Sequence, residues 1–305
     1  MTTIIQDTAE KIRNLQIRGA RNVTIAAVEA LQIHATQTKA KNRNQFLTEL
    51  KETQAIFVAA RETEPLMCNA LCNIISQIKN TPNQNLDILR EAVIINASRF
   101  LKDLENTREQ TAENGATRIQ EGTLVFTHCY SSTVTRLLIK AKEQGKNFQV
   151  ICTETRPAFQ GRITAKELLK GGIDTTFIVD SAAHTYIKDA DLVVVGADAI
   201  TSEGNVINKI GTANIAVLAH ETHKPFYVVS ELLKFDPKTL SGEYKKIEHR
   251  TSKEVWSEAP PELTVRNPAF DVTQCHYIHG LICEEGIIAP QTIVERVRKR
   301  YPWVF

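Results

Sequence analysis

Residues 123–152 read TLVFTHCYSSTVTRLLIKAKEQGKNFQVIC. The segment opens with a short apolar run, Thr123–Thr127, and closes with a second one, Phe148–Cys152. Between them, Thr133–Lys142 has the residue spacing of an amphipathic helix. Strand, helix and strand in this order form a βαβ unit with parallel strands. The segment therefore predicts a parallel sheet that is covered by helices.

The same alternation continues towards the C-terminus. Three more apolar runs of about five residues occur at Thr175–Val179, Asp191–Val195 and Pro225–Val229, and Thr212–Thr222 has helical spacing. The expected second half is a doubly wound α/β fold.

The first part of the chain has a different texture. Up to about residue 115, apolar residues recur at helical spacing, as in Met67, Ala70, Leu71 and Ile74. The polar segment 106–117 is the expected boundary. We predict an N-terminal helical domain, residues 1–115, followed by a Rossmann-like parallel-sheet domain, residues 116–305, that carries the catalytic residues.

The composition is that of an ordinary globular protein, with 42% hydrophobic and 24% charged residues and a formal net charge of +2. This charge gives no bias towards nucleic acid or membrane partners. The N-terminus, MTTIIQDTAEKI, is too polar for a secretory signal, and the six cysteines lack metal-binding spacing. We expect a cytoplasmic protein with free thiols and no metal. The predicted first strand is not followed by GxGxxG, so no dinucleotide cofactor is expected.

Two residues near predicted strand ends can carry acid–base chemistry, because ligands bind beyond the carboxyl ends of parallel strands. Cys129 follows the first run and precedes Ser131–Thr133, which resemble helix caps; a nearby helix N-terminus would lower the thiol pKa. Asp198 follows the run that begins at Asp191, and desolvation of its carboxyl group would make it a general acid. A packed, inert cysteine and a capping aspartate are the structural alternatives.

Two loops can bind phosphate. Lys209 lies in Asn208–Thr212, NKIGT, where the amides of Gly211 and Thr212 are further possible donors. Arg18-Gly19-Ala20-Arg21 places two arginines around a glycine turn, although a plain interhelix turn explains it equally well. His128 precedes Cys129, but neighbouring strand residues point to opposite faces, so we expect His128 to be structural.

Seven segments in order resemble one superfamily, which unites aldose-1-phosphate isomerases with regulatory subunits of the eukaryotic translation-initiation exchange factor. The resemblance covers the chain from about residue 11 to its end. The segments are RGA at 18–20, THCYSS at 127–132, ETRP..QGR at 154–162, GADAI at 196–200, NKIGT at 208–212, SELLKFDP at 230–237 and NPAFDVT at 267–273.

Within this superfamily, the sequence resembles the ribose-1,5-bisphosphate isomerase family. The resemblance implies that Cys129 is the catalytic base and Asp198 the catalytic acid. The implied reaction converts α-D-ribose 1,5-bisphosphate to D-ribulose 1,5-bisphosphate through a cis-phosphoenolate, within nucleotide degradation from AMP. The resemblance implies no cofactor. It implies a homodimer that assembles into a homohexamer. The implied substrate-binding residues are Arg18, Gly19, Ala20, Arg21, Arg61, Asn208, Lys209 and Lys234.

Two residues depart from the family pattern. Arg21 stands where the family has glycine, and Tyr130 stands where the isomerases tend to have asparagine and the regulatory subunits tyrosine. Two alternatives therefore stay open. One is a methylthioribose-1-phosphate isomerase, whose substrate lacks the 5-phosphate. The other is a non-catalytic regulatory subunit that binds a translation-initiation GTPase.

Overall fold

The computed structural model describes residues 3–61, 63–244 and 246–305. The chain forms two compact units: residues up to Asn106 together with Arg298–Phe305, and residues Thr107–Val297. The division falls in the polar segment that served as the predicted boundary. The last eight residues belong to the first unit, which the change in residue pattern along the sequence does not predict.

The first unit is helical. Its helices are α1 (Thr3–Arg13), α2 (Ala20–Gln37), α3 (Arg43–Ala60), α4 (Pro65–Asn80) and the first part of α5 (Leu86–Ala116). The side chain of Asn42 accepts the amide of Gln45 and so caps α3, and Pro65 occupies the first turn of α4. The largest fully buried side chains of the unit are Ile5, Ile12, Leu31, Phe46, Leu50, Phe57, Leu66, Met67 and Leu71.

The second unit alternates strands and helices. Its elements after α5 are β1 (Leu124–Thr127), α6 (Ser132–Glu143), β2 (Gln149–Thr153), α7 (Gly161–Lys170), β3 (Asp174–Ile178), α8 (Ala183–Ile187), β4 (Leu192–Val195), β5 (Ala199–Ile200), β6 (Val206–Lys209), α9 (Thr212–Glu221), β7 (Phe226–Val229), β8 (Phe270–Thr273), β9 (Gly280–Cys283), β10 (Gly286–Ile288) and the first part of α10 (Ile293–Arg300).

Seven strands form the main sheet in the order β10-β9-β7-β4-β1-β2-β3, and all neighbours pair in parallel except β10 with β9. The five apolar runs of the sequence form β1, β2, β3, β4 and β7, so the predicted α/β fold is confirmed. The order reverses at the β1/β4 pair, since β2 and β3 lie on one side and β7 on the other. Such a reversal opens a ligand crevice beyond the carboxyl ends of the two strands.

A second, antiparallel sheet of order β5-β6-β8 was not predicted. Its strands contain two to four residues and mix polar with apolar side chains, so each is a weak signal by itself. The pairing of Ile207 with Val272 joins segments far apart in the chain. This sheet fixes the segment after β4, because the amide of Asp198 donates to the carbonyl of Ile207 at 2.9 Å.

Within the described ranges, no helix combines the length and the apolar character that a membrane crossing needs.

Candidate active site

The loops that follow β1 and β4 pack directly against each other. A Cβ atom added at Gly196 would lie 2.6 Å from the Oγ atom of Ser131. Any larger residue would separate the GAD segment from the THC segment. The glycine therefore lets the loops that carry Cys129 and Asp198 pack closely at the topological switch point.

The backbone of Cys129 is held in an unusual conformation. Its φ angle is +66°, in the left-handed region, and Thr155 in the loop after β2 has a φ angle of +62°. The amide of Cys129 donates to the Thr155 hydroxyl at 3.0 Å, and its carbonyl accepts from the Thr164 hydroxyl at 2.8 Å. Two non-glycine residues in this region, each costing about 1–3 kcal/mol, are typical of functional sites. The hydrogen bonds fix the direction of the Cys129 side chain.

The thiol of Cys129 is buried, with 6% of the residue exposed. Its sulfur lies 3.7 Å from Gln160 Oε1. Burial raises the pKa of the Cys129 thiol to about 12; the Lys209 charge and the Tyr130 amide lower it, while Asp198 raises it. The expectation of a lowered thiol pKa was therefore wrong, because desolvation outweighs the amides of the helix end. Ser131 does cap α6, as predicted.

Asp198 is half-buried between β4 and β5. The preceding residue is fixed by Lys234, whose Nζ atom donates to the carbonyl of Ala197 at 2.8 Å. Lys234 is buried and also pairs with the buried carboxylate of Glu231 at 3.2 Å. The Thr133 hydroxyl, on α6, donates to the other oxygen of Glu231 at 3.2 Å. The SELLK segment thus joins the helix after Cys129 to the residue before Asp198.

Lys209 ends β6, and its charge reaches the Cys129 thiol. Its Nζ atom lies 4.8 Å from the ring centroid of Phe270. Asn208 is buried and donates to the Thr212 hydroxyl at 3.0 Å, which holds the loop closed. Lys209 therefore lies near enough to Cys129 for its charge to favour the thiolate.

The start of α9 differs from expectation. The amide of Gly211 donates to Asp271 Oδ2 at 2.7 Å, and the amide of Ala213 lies 3.2 Å from both oxygens of Asp271. The prediction that the Gly211 amide is open to a phosphate was wrong, because a carboxylate from β8 already accepts it. Burial raises the pKa of Asp271 to about 6, against the lowering effect of these two amides.

In the first unit, Gly19 has a φ angle of +81° and is the N-cap residue of α2, with no side-chain cap bond. Arg18 is exposed, and its Nε atom donates to the carbonyl of Leu15 at 2.6 Å. Ala20 and Arg21 form the first turn of the helix. Their amides lie where helix N-termini bind anions.

The side chain of Arg21 is buried and turned towards α5. It donates to the carbonyl of Leu104 at 3.0 Å and forms an ion pair with Glu105. This residue, which replaces the family glycine, therefore fastens α2 to α5. Arg61 at the end of α3 pairs in the same unit with the buried Glu64 at 2.8 Å.

The neighbours of Cys129 are also fixed by hydrogen bonds. His128 is buried; its Nε2 atom lies 2.9 Å from the carbonyl of Ile210 and its Nδ1 atom 2.6 Å from the Thr153 hydroxyl. A carbonyl only accepts, so Nε2 carries a proton. Burial lowers the pKa of His128. His128 links β1, β2 and the NKIGT loop, the structural role that was predicted.

Tyr130 points to α7, where its hydroxyl donates to Glu167 Oε1 at 3.1 Å. Burial, followed by the Glu167 charge, raises the pKa of Tyr130 to about 12.

Several residues around Cys129 were assigned no individual role from the sequence: Thr155, Gln160, Thr164 and Asp180. Asp180, after β3, accepts the amides of Thr155 and Arg156 at 2.8 and 2.6 Å and so shapes the loop beside Cys129. The ETRP..QGR segment follows the predicted strand Phe148–Cys152, and this position at a strand end is the sequence signal for the role.

Comparison with known proteins matches residues 16–290 to the Initiation factor 2 subunit family. The chain belongs to this family. It is 41% identical over 304 residues to the ribose 1,5-bisphosphate isomerase of Pyrococcus furiosus, covering 97% of this chain and 94% of that relative.

Two solved structures have the same fold. The translation initiation factor eIF-2B of Pyrococcus horikoshii is 29% identical, with a TM-score of 0.83 and coverage of 95% of this chain and 98% of that one. The 5-methylthioribose 1-phosphate isomerase of the same organism is also 29% identical, with a TM-score of 0.81 and coverage of 97% and 88%. The proteins that share this fold thus include both an enzyme and an initiation factor.

Proposed function

We propose that this chain is a ribose 1,5-bisphosphate isomerase, which converts α-D-ribose 1,5-bisphosphate to D-ribulose 1,5-bisphosphate. The observation that carries the proposal is the meeting of a thiol, a carboxyl group and a lysine at the β1/β4 crevice. The Cys129 thiol lies near enough to Asp198 and Lys209 for both charges to act on its pKa. The identity of 41% to an enzyme of this name supports the choice of substrate.

The reaction needs an acid first. A sugar with a phosphate on its anomeric oxygen cannot open its ring spontaneously, because that oxygen is locked in the ester. Asp198, carrying a proton, donates it to the ring oxygen as the bond from C1 to that oxygen breaks. The former ring oxygen becomes a hydroxyl group, and C1 carries the positive charge.

A base is needed next. Cys129, as thiolate, removes the proton from C2, which gives the cis-phosphoenol, and then returns this proton to C1. As C1 is protonated, the C2 hydroxyl becomes the ketone and gives its proton to the Asp198 carboxylate. Both residues regain their starting states, and no hydrogen is gained or lost overall.

The raised thiol pKa defines the form that reacts. In the resting protein the sulfur carries a proton, and the negative charge of Asp198 opposes its loss. The proposed chemistry therefore requires substrate binding to bring Cys129 to its thiolate form, which Lys209 and the Tyr130 amide favour.

The two phosphates of the substrate need cationic partners. We assign Lys209 to one of them, since its charge lies beside the reacting groups. Asn208 and Lys234 hold the surrounding backbone through their hydrogen bonds, and we assign both to substrate binding in the second unit. Arg18, Gly19, Ala20, Arg21 and Arg61 are proposed on the resemblance, with Arg21 contributing through its backbone amide because its guanidinium group is engaged by α5.

The second candidate function is a regulatory subunit of an initiation factor, and Tyr130 favours it. Purified protein is assayed with ribose 1,5-bisphosphate and with methylthioribose 1-phosphate, side by side. Faster turnover of the bisphosphate supports the proposal. Turnover of methylthioribose 1-phosphate alone contradicts the substrate, and no turnover together with capture of an initiation GTPase contradicts enzymatic function.

A cytoplasmic location and a homodimer that assembles into a homohexamer complete the proposal. Light scattering after size-exclusion chromatography measures the mass, which is six times that of the 34.2 kDa chain if the proposal holds.

A further inference from the structure

A cavity lies away from the candidate active site, at the amino ends of β7 and β9. Its volume is about 490 Å³. His220, His223, His276 and His279 line it, which is half of the eight histidines in the chain. We name it the histidine cavity.

The histidine cavity is separate from the reacting groups. β7 and β4 run in parallel, and Asp198 follows the carboxyl end of β4, whereas the cavity residues lie before or at the start of β7 and just before β9. The cavity therefore opens at the opposite edge of the sheet. Helix α9 spans the two edges, with the NKIGT loop at its start and His220 in its last turn.

Two tyrosines orient three of the imidazole rings. The ring centroid of Tyr277 lies 5.4 Å from that of His220 and 4.1 Å from that of His276. The ring of Tyr227 meets His279 edge-on at 5.3 Å. Such contacts restrict the rings to defined directions, so the imidazoles form an ordered set of donors.

The fourth histidine, His223, has a strained backbone conformation. His223 follows α9 with a φ angle of +55°, at a helix end where glycine is normally preferred. The amides of Thr222, His223 and Lys224 donate to the carbonyls of Leu218, His220 and Ala219, respectively. The His223 side chain thus stands at a position where the backbone conformation favours glycine. The carbonyls of Leu218, Ala219 and His220 at this helix end already accept hydrogen bonds.

The basic residues that line the histidine cavity favour an anionic ligand. Lys224 adds a permanent positive charge, and none of the ten lining residues is acidic. Among the described residues, no group of three histidine, cysteine or acidic side chains is arranged to hold a metal ion. Imidazole, ammonium and phenol groups are all hydrogen-bond donors to oxyanions.

From these observations we propose that the histidine cavity binds a phosphate-bearing small molecule. Its volume lies within the range of small-molecule sites, roughly 300–1,000 Å³. Pro225, Phe226 and Ile278 add an apolar wall beside the two tyrosines, which suits the organic part of a phosphate ester.

The test follows the histidine rings by NMR in the full-length protein. Inorganic phosphate and phenyl phosphate are titrated in parallel into ring-labelled protein, with resonances assigned by single His→Gln variants. Saturable shifts are expected at the four cavity histidines, with none at His184, an exposed residue on α8 outside the lining. Tighter binding of phenyl phosphate identifies an ester as the ligand class, and equal binding identifies free phosphate.

The double variant His223→Gln/His276→Gln is expected to bind about 100-fold more weakly at the remaining rings, because each of the two lost hydrogen bonds to a charged ligand accounts for about 10-fold. Lys224→Gln gives an independent loss should the double variant misfold, and His184→Gln is the matched control. Unsaturable shifts, or unchanged affinity in both cavity variants, overturns the proposal. Isomerase turnover is measured separately, so failure here leaves the proposed reaction untouched.

Discussion

The reactivity of the Cys129 thiol towards an alkylating reagent is set by its burial. A pKa of about 12 leaves about 10⁻⁴ of the thiol ionised at pH 8, whereas a free cysteine with a pKa of about 8.5 is roughly one-quarter ionised. Only the thiolate reacts. Cys129 should therefore be alkylated about 10³-fold more slowly than a free thiol at this pH, apart from further slowing by limited access.

The assay is iodoacetamide labelling of the unliganded protein from pH 7 to pH 10, with each cysteine peptide quantified by mass spectrometry. The logarithm of the Cys129 rate constant is expected to rise with unit slope and without a plateau. Cys72 is exposed on α4 and controls for reagent reactivity. Lys209→Met removes a charge that favours the thiolate and should slow Cys129 labelling further. A plateau for Cys129 at or below pH 9 refutes the reasoning.

Three other substitutions test the surroundings of the site. Arg21→Gly, which restores the family residue, removes the bonds to α5 and is expected to cost about 2 kcal/mol in the free energy of unfolding, whereas unchanged thermal stability contradicts this role. Asp271→Asn tests a carboxyl group whose pKa is raised to about 6. The Asp271 carboxyl group loses its proton at a lower pH in the unfolded chain than in the folded protein. Between about pH 4 and pH 6, the stability of the wild type therefore falls by about 3 kcal/mol relative to the variant as pH rises. Urea unfolding curves of both proteins at pH 4 and pH 7 that show no such difference contradict this prediction. Tyr130→Phe is expected to lose about 1 kcal/mol with turnover retained, because its hydroxyl bonds to Glu167, and a large loss of turnover in steady-state kinetics contradicts this.

The main sheet was predictable because its strands are almost entirely apolar and separated by helical segments. Each buried parallel strand, such as β4 with the sequence LVVV, can be predicted from its own residues without reference to the rest of the chain. The antiparallel sheet was not predictable in this way. Val206–Lys209 becomes a strand only because residues 270–273 lie beside it, and that pairing is a property of the folded chain.

The candidate site shows the same division. The rule of strand ends placed Cys129 and Asp198 after β1 and β4, and the structure makes these two strands neighbours. The electrostatics around them followed tertiary packing instead. The thiol pKa depends on burial, the Gly211 amide on a carboxylate 60 residues away, and the Arg21 guanidinium on a helix more than 80 residues away.

The proposed chemistry is tested most directly by the turnover of ribose 1,5-bisphosphate in the Cys129→Ser and Asp198→Asn variants, with binding measured by calorimetry on the same preparations. Each variant is expected to lose at least ~100-fold in turnover, the scale of a lost acid–base group, while its affinity for the bisphosphate stays near that of the wild type. Near-normal turnover in both variants would show that the thiol and the carboxyl group do not carry the reaction.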